Sequence, residues 1–229
     1  MSNRNENKKT LIKLDKISKS FGDRKILDNI SLEIYEGELI TIMGKSGAGK
    51  TTLLNILGFL ENVDKGDYYF DGKLVSAKLS NVIRNRNIGF VFQAYNLIPK
   101  LTVYENIVLP IYYSDINAKE KKRYIDRLPD MMRKYNIEHI KDSYVDYISG
   151  GEKQRVCLAR ALACDAKLII SDEPTGNLDA QNTDIVLEEL AKMNKLGKTV
   201  IIVTHDEEVE KIATRKLYLG EGKINNHDI

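Results

Sequence analysis

An apolar run from Leu39 to Met43 leads straight into Gly44-Lys45-Ser46-Gly47-Ala48-Gly49-Lys50-Thr51, and that octapeptide leads into a helical run from Thr52 to Leu60. A loop fitting GxxxxGK[ST] between a strand and a helix commits the chain to one local geometry. The glycines let the backbone wrap a polyphosphate with its N–H groups pointing inward, and the positive end of the following helix dipole adds to the attraction. Lys50 is placed to contact the β- and γ-phosphates. Thr51 offers a hydroxyl to Mg²⁺, a hard ion that takes oxygen ligands and keeps several waters. Gly44, Lys45, Ser46, Gly47, Ala48, Gly49, Lys50, Thr51 and Thr52 are therefore the candidate nucleotide-binding stretch. A Gly-rich turn without function is the plain alternative, and the complete match in this context disfavours it.

Three further apolar runs rich in β-branched residues recur with helical patterns between them: Ile88 to Phe92, Leu168 to Ile170 and Val200 to Thr204. Strands apolar on both faces predict a parallel sheet covered by helices. Leu11 to Ser18 and Ile30 to Tyr35 read as strands upstream, Tyr68 to Phe70 with Asp71-Gly72 and Lys73 to Val75 as a hairpin, and Lys216 to Leu219 as a last strand. The two upstream strands and the hairpin predict a small antiparallel β layer. Ala94 to Ala166 reads as an inserted helical lobe, heavily charged from Lys119 to Lys134, with Pro129 expected to kink or end a helix. The fold class is thus α/β: a P-loop NTPase core with a mainly parallel sheet, a small antiparallel layer and an inserted helical lobe. One domain is expected over residues 1–229, with 1–93 and 167–229 as the ATP-binding core and 94–166 as the lobe.

Composition excludes several classes. A chain of 229 residues that is 42% hydrophobic can bury a real core and leaves little room for a second full domain. Its 35 basic and 33 acidic residues are well mixed, for a net charge of +2, which gives no electrostatic case for nucleic acid. The apolar runs are far shorter than the roughly 20 residues a membrane-spanning helix needs. Met1 to Thr10 is polar and lacks the apolar stretch of a signal peptide, so a cytoplasmic chain with a frayed start is expected. Cys157 and Cys164 lie seven positions apart in what reads as one helix, roughly 10 Å and too far for a disulfide. They read as small buried apolar residues, and with three scattered His they are too few for a structural zinc site.

Leu168 to Asp172-Glu173 is a buried strand ending in two carboxylates, at the strand end where α/β sheets bind ligands. Asp172 is suited to hold Mg²⁺ through its water shell, and Glu173 to polarise the water that attacks the γ-phosphate. A strand-ending acid pair is often only a cap or a solvated turn; beside a phosphate loop the catalytic reading prevails.

Ile148-Ser149-Gly150-Gly151-Glu152-Lys153-Gln154-Arg155 resembles the LSGGQ signature of ABC ATPases. Gln93 after a core strand, Asn177-Leu178-Asp179 after Glu173, and His205 after the last core strand complete the family order, so the resemblance covers nearly the whole chain. It implies that adenine stacks on Phe21, with core packing as the alternative role for that ring. It implies that Gln93 coordinates Mg²⁺ or the attacking water, and that His205 hydrogen-bonds the γ-phosphate and orients Glu173. His139 and His227 match no motif. Ser149, Gly150 and Gly151 would donate to the γ-phosphate bound by a second copy, giving an ATP-bound homodimer that sandwiches two nucleotides, with Asp179 at its seam. Two positions depart from the common signature, Ile148 for Leu and Glu152 for Gln. Glu152 suits the helix dipole yet brings negative charge near a triphosphate, so weaker ATP-driven closure than in a Glu152→Gln variant is expected.

The same resemblance narrows the job. No long coiled-coil insertion separates the phosphate loop from the signature, one cassette is present, and little follows His205. Gln93 to Ile107 is similar to the corresponding stretch of the macrolide, lipoprotein and antimicrobial-peptide exporter group, and Asn177 fits that group. This implies an ATPase on the cytoplasmic face of the membrane, driving export or extraction of a peptide, lipoprotein or drug-like substrate through separate integral membrane permease subunits, with a periplasmic or extracellular adaptor as a further component. The alternative is a cell-division-type ATPase that signals to a membrane partner without transport. Apolar and aromatic residues from Tyr95 to Tyr113 are either a dock for a permease helix or the lobe's own core, with Tyr95, Leu97 and Leu101 expected at the surface.

Overall fold

The computed structural model describes residues 8–92, 94–176 and 180–227. In chain order the strands and helices are β1 (Thr10–Phe21), β2 (Arg24–Tyr35), β3 (Leu39–Met43), α1 (Lys50–Leu57), β4 (Lys65–Phe70), β5 (Lys73–Leu74), α2 (Ala77–Asn87), β6 (Ile88–Phe92), α3 (Val103–Tyr113), α4 (Ala118–Lys134), α5 (Gly150–Leu162), β7 (Leu168–Asp172), α6 (Ala180–Lys195), β8 (Thr199–Val203), α7 (Glu207–Glu210), β9 (Arg215–Gly220) and β10 (Lys223–His227). They fall into two compact units, one running to Ser80 and resuming at Leu187, the other from Asn81 to Val186.

In the first unit β2, β1, β4 and β5 form an antiparallel layer, with Ile12 opposite Ile34 and Phe70, and Leu14 opposite Leu32 and Tyr68. These apolar partners share one face because side chains alternate along a strand. β3 pairs in parallel with β8 on one side and β9 on the other, Ile42 lying opposite Val203 and Leu217. Every residue of β3 and β8 is buried, as the two-sided apolar pattern predicts. β10 adds an antiparallel edge to β9. Its sequence, Lys-Ile-Asn-Asn-His, carries no strand pattern. The left-handed turn at Glu221 and Gly222 folds it back onto β9, so it was invisible to periodicity.

In the second unit β6 and β7 pair in parallel from Ile88–Leu168 to Phe92–Asp172, two residues further than the apolar run alone indicates. Helices α3, α4 and α5 follow the pattern expected of the insertion. α3 opens with a capping box in which Thr102 Oγ1 accepts from Glu105 N while Glu105 accepts from Thr102 N. Pro129 does not end its helix: α4 continues to Lys134. Leu128 and Met132 are buried while Pro129 is exposed, so packing of one face holds the helix together through the proline. α3 likewise runs through Pro110. Cys164 lies beyond α5 rather than inside it, because the chain leaves the helix after Leu162 and turns at Asp165, whose φ is 55°. Both cysteines are free and buried, and burial pushes each thiol up to about 11.

Between Tyr95 and Tyr113 the large exposed side chains are Ile98, Tyr112 and Tyr113. Tyr95, Leu97 and Leu101 are half-buried, contrary to expectation. Asn106, fully buried, organises the segment: its Oδ1 accepts from Ile98 N at 2.8 Å, and its Nδ2 donates to the carbonyls of Ile98, Leu101 and Thr102 at 3.2, 3.3 and 3.0 Å. Among the described residues no helix is long and apolar enough to cross a membrane.

Asn106→Ala strips that loop of its side-chain partners and should cost about 2 kcal/mol of stability. Urea unfolding followed by circular dichroism measures it, and an unchanged midpoint would show that the loop holds without Asn106.

Candidate nucleotide site

The phosphate loop is shaped by what its glycines avoid. A Cβ on Gly44 would sit 2.2 Å from the Leu219 carbonyl oxygen of β9, and one on Gly49 would sit 2.9 Å from Ile26 Cγ2 of β2. Gly49 also has φ 99°, a conformation that L side chains rarely adopt. Bare backbone at these positions lets the loop lie against both strands. α1 then starts at Lys50 with no side-chain cap and no acidic residue in its first turn. Its first N–H groups are thus left for an anion, and the helix dipole reinforces that preference. Lys50 Nζ arches back across the loop, donating to the Gly44 carbonyl at 2.7 Å and the Lys45 carbonyl at 3.2 Å. Thr51 is exposed and Thr52 half-buried.

Two more predicted residues lie in the same unit. His205 follows β8, and the pairing of Ile42 with Val203 brings the strand ends carrying Gly44 and His205 out on the same side of the sheet. His205 is exposed. Phe21 closes β1, opposite Arg24, and is 52% exposed, which rules out the core-packing role that its ring type alone allows. The Lys19 ammonium lies 5.2 Å from its ring centroid. A Cβ on Gly49 would also lie 3.2 Å from Leu27 Cδ2, so the phosphate loop runs close to β2 just beyond Arg24, the strand partner of Phe21.

In the second unit Asp172 is the last residue of β7, and Glu173 leaves the strand with φ 45°. A left-handed non-glycine residue costs of order 1–3 kcal/mol and persists where surrounding structure enforces it, often at functional sites. Ser171 Oγ donates to the Val91 carbonyl at 3.1 Å and fixes the strand end just before the two acids.

Ser149 is the N-cap of α5, and Glu152 completes a capping box. Glu152 Oε2 accepts from Ser149 N at 2.8 Å and from Ser149 Oγ at 2.7 Å, while Ser149 Oγ accepts from Glu152 N at 3.3 Å. The Ser149 hydroxyl, followed by its backbone N–H, holds the Glu152 carboxyl below the usual range. Glu152 is therefore a cap as well as a charge, which sequence reasoning had treated as a charge alone. Gly150 and Gly151 form the start of α5, and a Cβ on Gly150 would lie 3.5 Å from the Tyr95 hydroxyl. His139 is exposed, with Nε2 3.8 Å from Glu152 Oε1.

Sequence reasoning missed Arg160. Its guanidinium donates to the Tyr95 carbonyl at 2.7 Å and the Asn96 carbonyl at 2.6 Å, and Cys157 Sγ donates to the same Tyr95 carbonyl at 3.0 Å. Tyr95 and Asn96 are both left-handed, with φ 59° and 47°. α5 thereby clamps the strained turn that follows β6 and draws Tyr95 inward. An arginine in the last turn of a helix reads as an ordinary dipole partner, so no local signal pointed to the clamp. Gln93 and Asn177, Leu178 and Asp179 lie outside the described residues, and so does the side chain of His227. Among the described residues no group of three or more His, Cys, Asp or Glu is placed to hold a metal ion.

Comparison with known proteins fits this geometry. The ABC transporter family profile matches residues 27–176. The lipoprotein-releasing system ATP-binding protein LolD of Bacteroides thetaiotaomicron is 40% identical over 218 residues, 93% of this chain and 99% of that protein. The macrolide export ATP-binding/permease protein MacB of Campylobacter jejuni is 41% identical over 93% of this chain, which spans 33% of that longer protein. Among solved structures, a dimeric ATP-binding cassette in a post-hydrolysis state with ADP and phosphate superposes with TM-score 0.80 at 35% identity, covering 95% of this chain and 98% of that one.

Lys50→Ala removes the cation that spans the loop and should weaken ATP binding by about 10- to 100-fold, the loss expected for one charge-assisted contact. Isothermal calorimetry reads this directly, and wild-type affinity would count against the phosphate role.

Proposed function

Because this chain belongs to the ABC transporter family as an ATP-binding subunit with ATPase activity, we propose that it powers export or extraction of a lipoprotein, peptide or drug-like substrate through separate permease chains. The observation that carries this reading is the end-to-end match to an ATP-binding protein of a lipoprotein-releasing system. In this reading the subunit works on the cytoplasmic face of the membrane and, with its permeases, serves a periplasmic or extracellular adaptor.

The roles of individual residues belong to the same proposal. The loop N–H groups and Lys50 bind the β- and γ-phosphates, and Phe21 stacks on adenine. Thr51, Gln93 and Asp172 supply the hard oxygen donors that suit Mg²⁺, which neutralises phosphate charge when bound. Glu173 takes the proton from the attacking water, with His205 orienting it and contacting the γ-phosphate. The uncapped start of α1 and the Ser149-capped start of α5 are two helix N-termini suited to anions. We assign the second, with Ser149, Gly150 and Gly151, to the nucleotide of a partner copy. ATP then closes a head-to-tail homodimer with Asp179 at its seam, and hydrolysis reopens it.

Glu173→Gln keeps the side-chain shape and removes the base, so ATP binding without turnover should trap the dimer. Size-exclusion chromatography with ATP should show a dimer for this variant and mixed species for the wild type; a monomer throughout would overturn the assignment of Glu173. Glu152→Gln keeps an acceptor for Ser149 and removes a charge, so it should dimerise at lower ATP concentration, by about threefold at low salt. Identical ATP dependence would mean that the cap alone matters. Purification from membranes with identification of the bound chains tests transport itself. Recovery of a permease supports the proposal, whereas a small membrane partner with no transport domain would replace it with signalling.

A further inference from the structure

Lys19 is 8% exposed, an unusual state for a lysine at the end of an edge hairpin, and the phosphate chemistry makes no use of it. Its Nζ donates to Glu61 Oε1 at 2.7 Å and to Asp64 Oδ1 at 3.2 Å. Asp64 also takes the Ser20 N–H on Oδ2 at 2.7 Å, and its own N–H donates to the Ser18 carbonyl at 3.0 Å. The segment following α1 thus grips β1 at Ser18, Lys19 and Ser20, the three residues before Phe21. The ammonium held in this way lies over the Phe21 ring, 5.2 Å from its centroid.

The arrangement is one-sided. Residues two apart in a strand share a face, which brings Lys19 onto Phe21, yet the ring remains 52% exposed. The fixed cation lies over the ring, and the exposed part of the ring is accessible to a second flat group. Ordering a lysine side chain costs about 2 kcal/mol of rotamer freedom, and the two ion pairs that offset it fix the ammonium beside an exposed ring. β2, which follows the turn carrying that ring, runs close to the phosphate loop at Ile26 and Leu27.

We propose that Lys19 is the positioning residue of the adenine platform: anchored by Glu61 and Asp64, it holds Phe21 by one face and presents the other to the base. This rests on the reading of Phe21 as the adenine-stacking residue. Lys19 touches no nucleotide, so its effect belongs in binding and not in the chemical step.

The test compares full-length wild type with Lys19→Met, Lys19→Arg, Glu61→Gln and Phe21→Ala, using calorimetric affinity for ATP and for inorganic tripolyphosphate, which has no base, together with steady-state ATPase kinetics. Lys19→Met should raise the Kd and KM for ATP about 3- to 10-fold, the range of a cation–π contact, with kcat within about twofold and tripolyphosphate affinity unchanged. Lys19→Arg should restore ATP binding, because a guanidinium keeps both the ion pairs and the ring contact. Glu61→Gln, which leaves Lys19 in place, should shift ATP binding in the same direction by a smaller factor and serves if Lys19→Met does not fold. If Phe21→Ala weakens ATP while Lys19→Met and Glu61→Gln bind it as wild type does, the positioning role is overturned and the platform stands. If Phe21→Ala binds ATP normally, the platform reading fails and the proposal fails with it. Equal weakening of ATP and tripolyphosphate in Lys19→Met would show damage to the whole site and would also overturn the proposal.

Discussion

The close approach of the phosphate loop to β2 and β9 is the constraint on which the nucleotide site depends. Two positions, Gly44 and Gly49, have no room for a Cβ, and the loop between them reaches α1 with the helix start uncapped. An eight-residue helix is marginal in water, and lacking a cap costs it about 1 kcal/mol more. What holds α1 is burial of Leu53, Leu54, Ile56 and Leu57, each worth roughly 1.5–3 kcal/mol. Packing along the body of the helix outweighs the missing side-chain cap at its tip.

α5 solves the same problem in the opposite way. Its start is closed by Ser149 and Glu152, and its far end is anchored through Arg160 and Cys157 to the carbonyls of Tyr95 and Asn96. The hydroxyl that the family pattern assigns to a partner's nucleotide is also a cap on its own helix. Ser149 Oγ gives its proton to Glu152 and takes the Glu152 N–H, so offering the proton elsewhere means exchanging one carboxylate partner for a phosphate. Glutamate in place of glutamine makes that exchange more costly, because a hydrogen bond to a charged acceptor is roughly twice as strong as one to a neutral group.

Much of the fold could be read from the sequence where a single physical signal dominated. β3 and β6 match their apolar runs end to end, and β7 and β8 to within two residues, because strands buried on both faces need unbroken hydrophobicity. The phosphate loop, the acids after β7 and the signature were legible because each needs particular residue types at fixed spacing. β10 was not, since its pairing comes from a turn and a neighbouring strand rather than from its own side chains. Pro129 does not end its helix for a related reason: its penalty is local, whereas the burial of Leu128 and Met132 that outweighs it is tertiary. The exposure pattern between Tyr95 and Tyr113 depended on Asn106 and Arg160, two polar residues whose partners are backbone carbonyls with no sequence signature.

That division explains which parts of the candidate site sequence reasoning reached. Residues that would touch the nucleotide are constrained by its chemistry, and chemistry leaves motifs. Residues that hold those groups in place need only reach a carbonyl or a carboxylate, and many side chains at many spacings can do so. Lys19 illustrates the difference. From sequence it is one of 35 basic residues in a nearly neutral chain. In the structure it is a buried cation with two carboxylate partners and an exposed ring beside it. The carboxylates come from the segment after α1, some 40 residues on, so no local window could connect them to Phe21. The link runs through the helix itself: α1 carries the phosphate loop at its start and delivers Glu61 and Asp64 beyond its end. One short element thereby carries the phosphate loop at its start and, through Glu61, Asp64 and Lys19, holds the Phe21 ring from beyond its end.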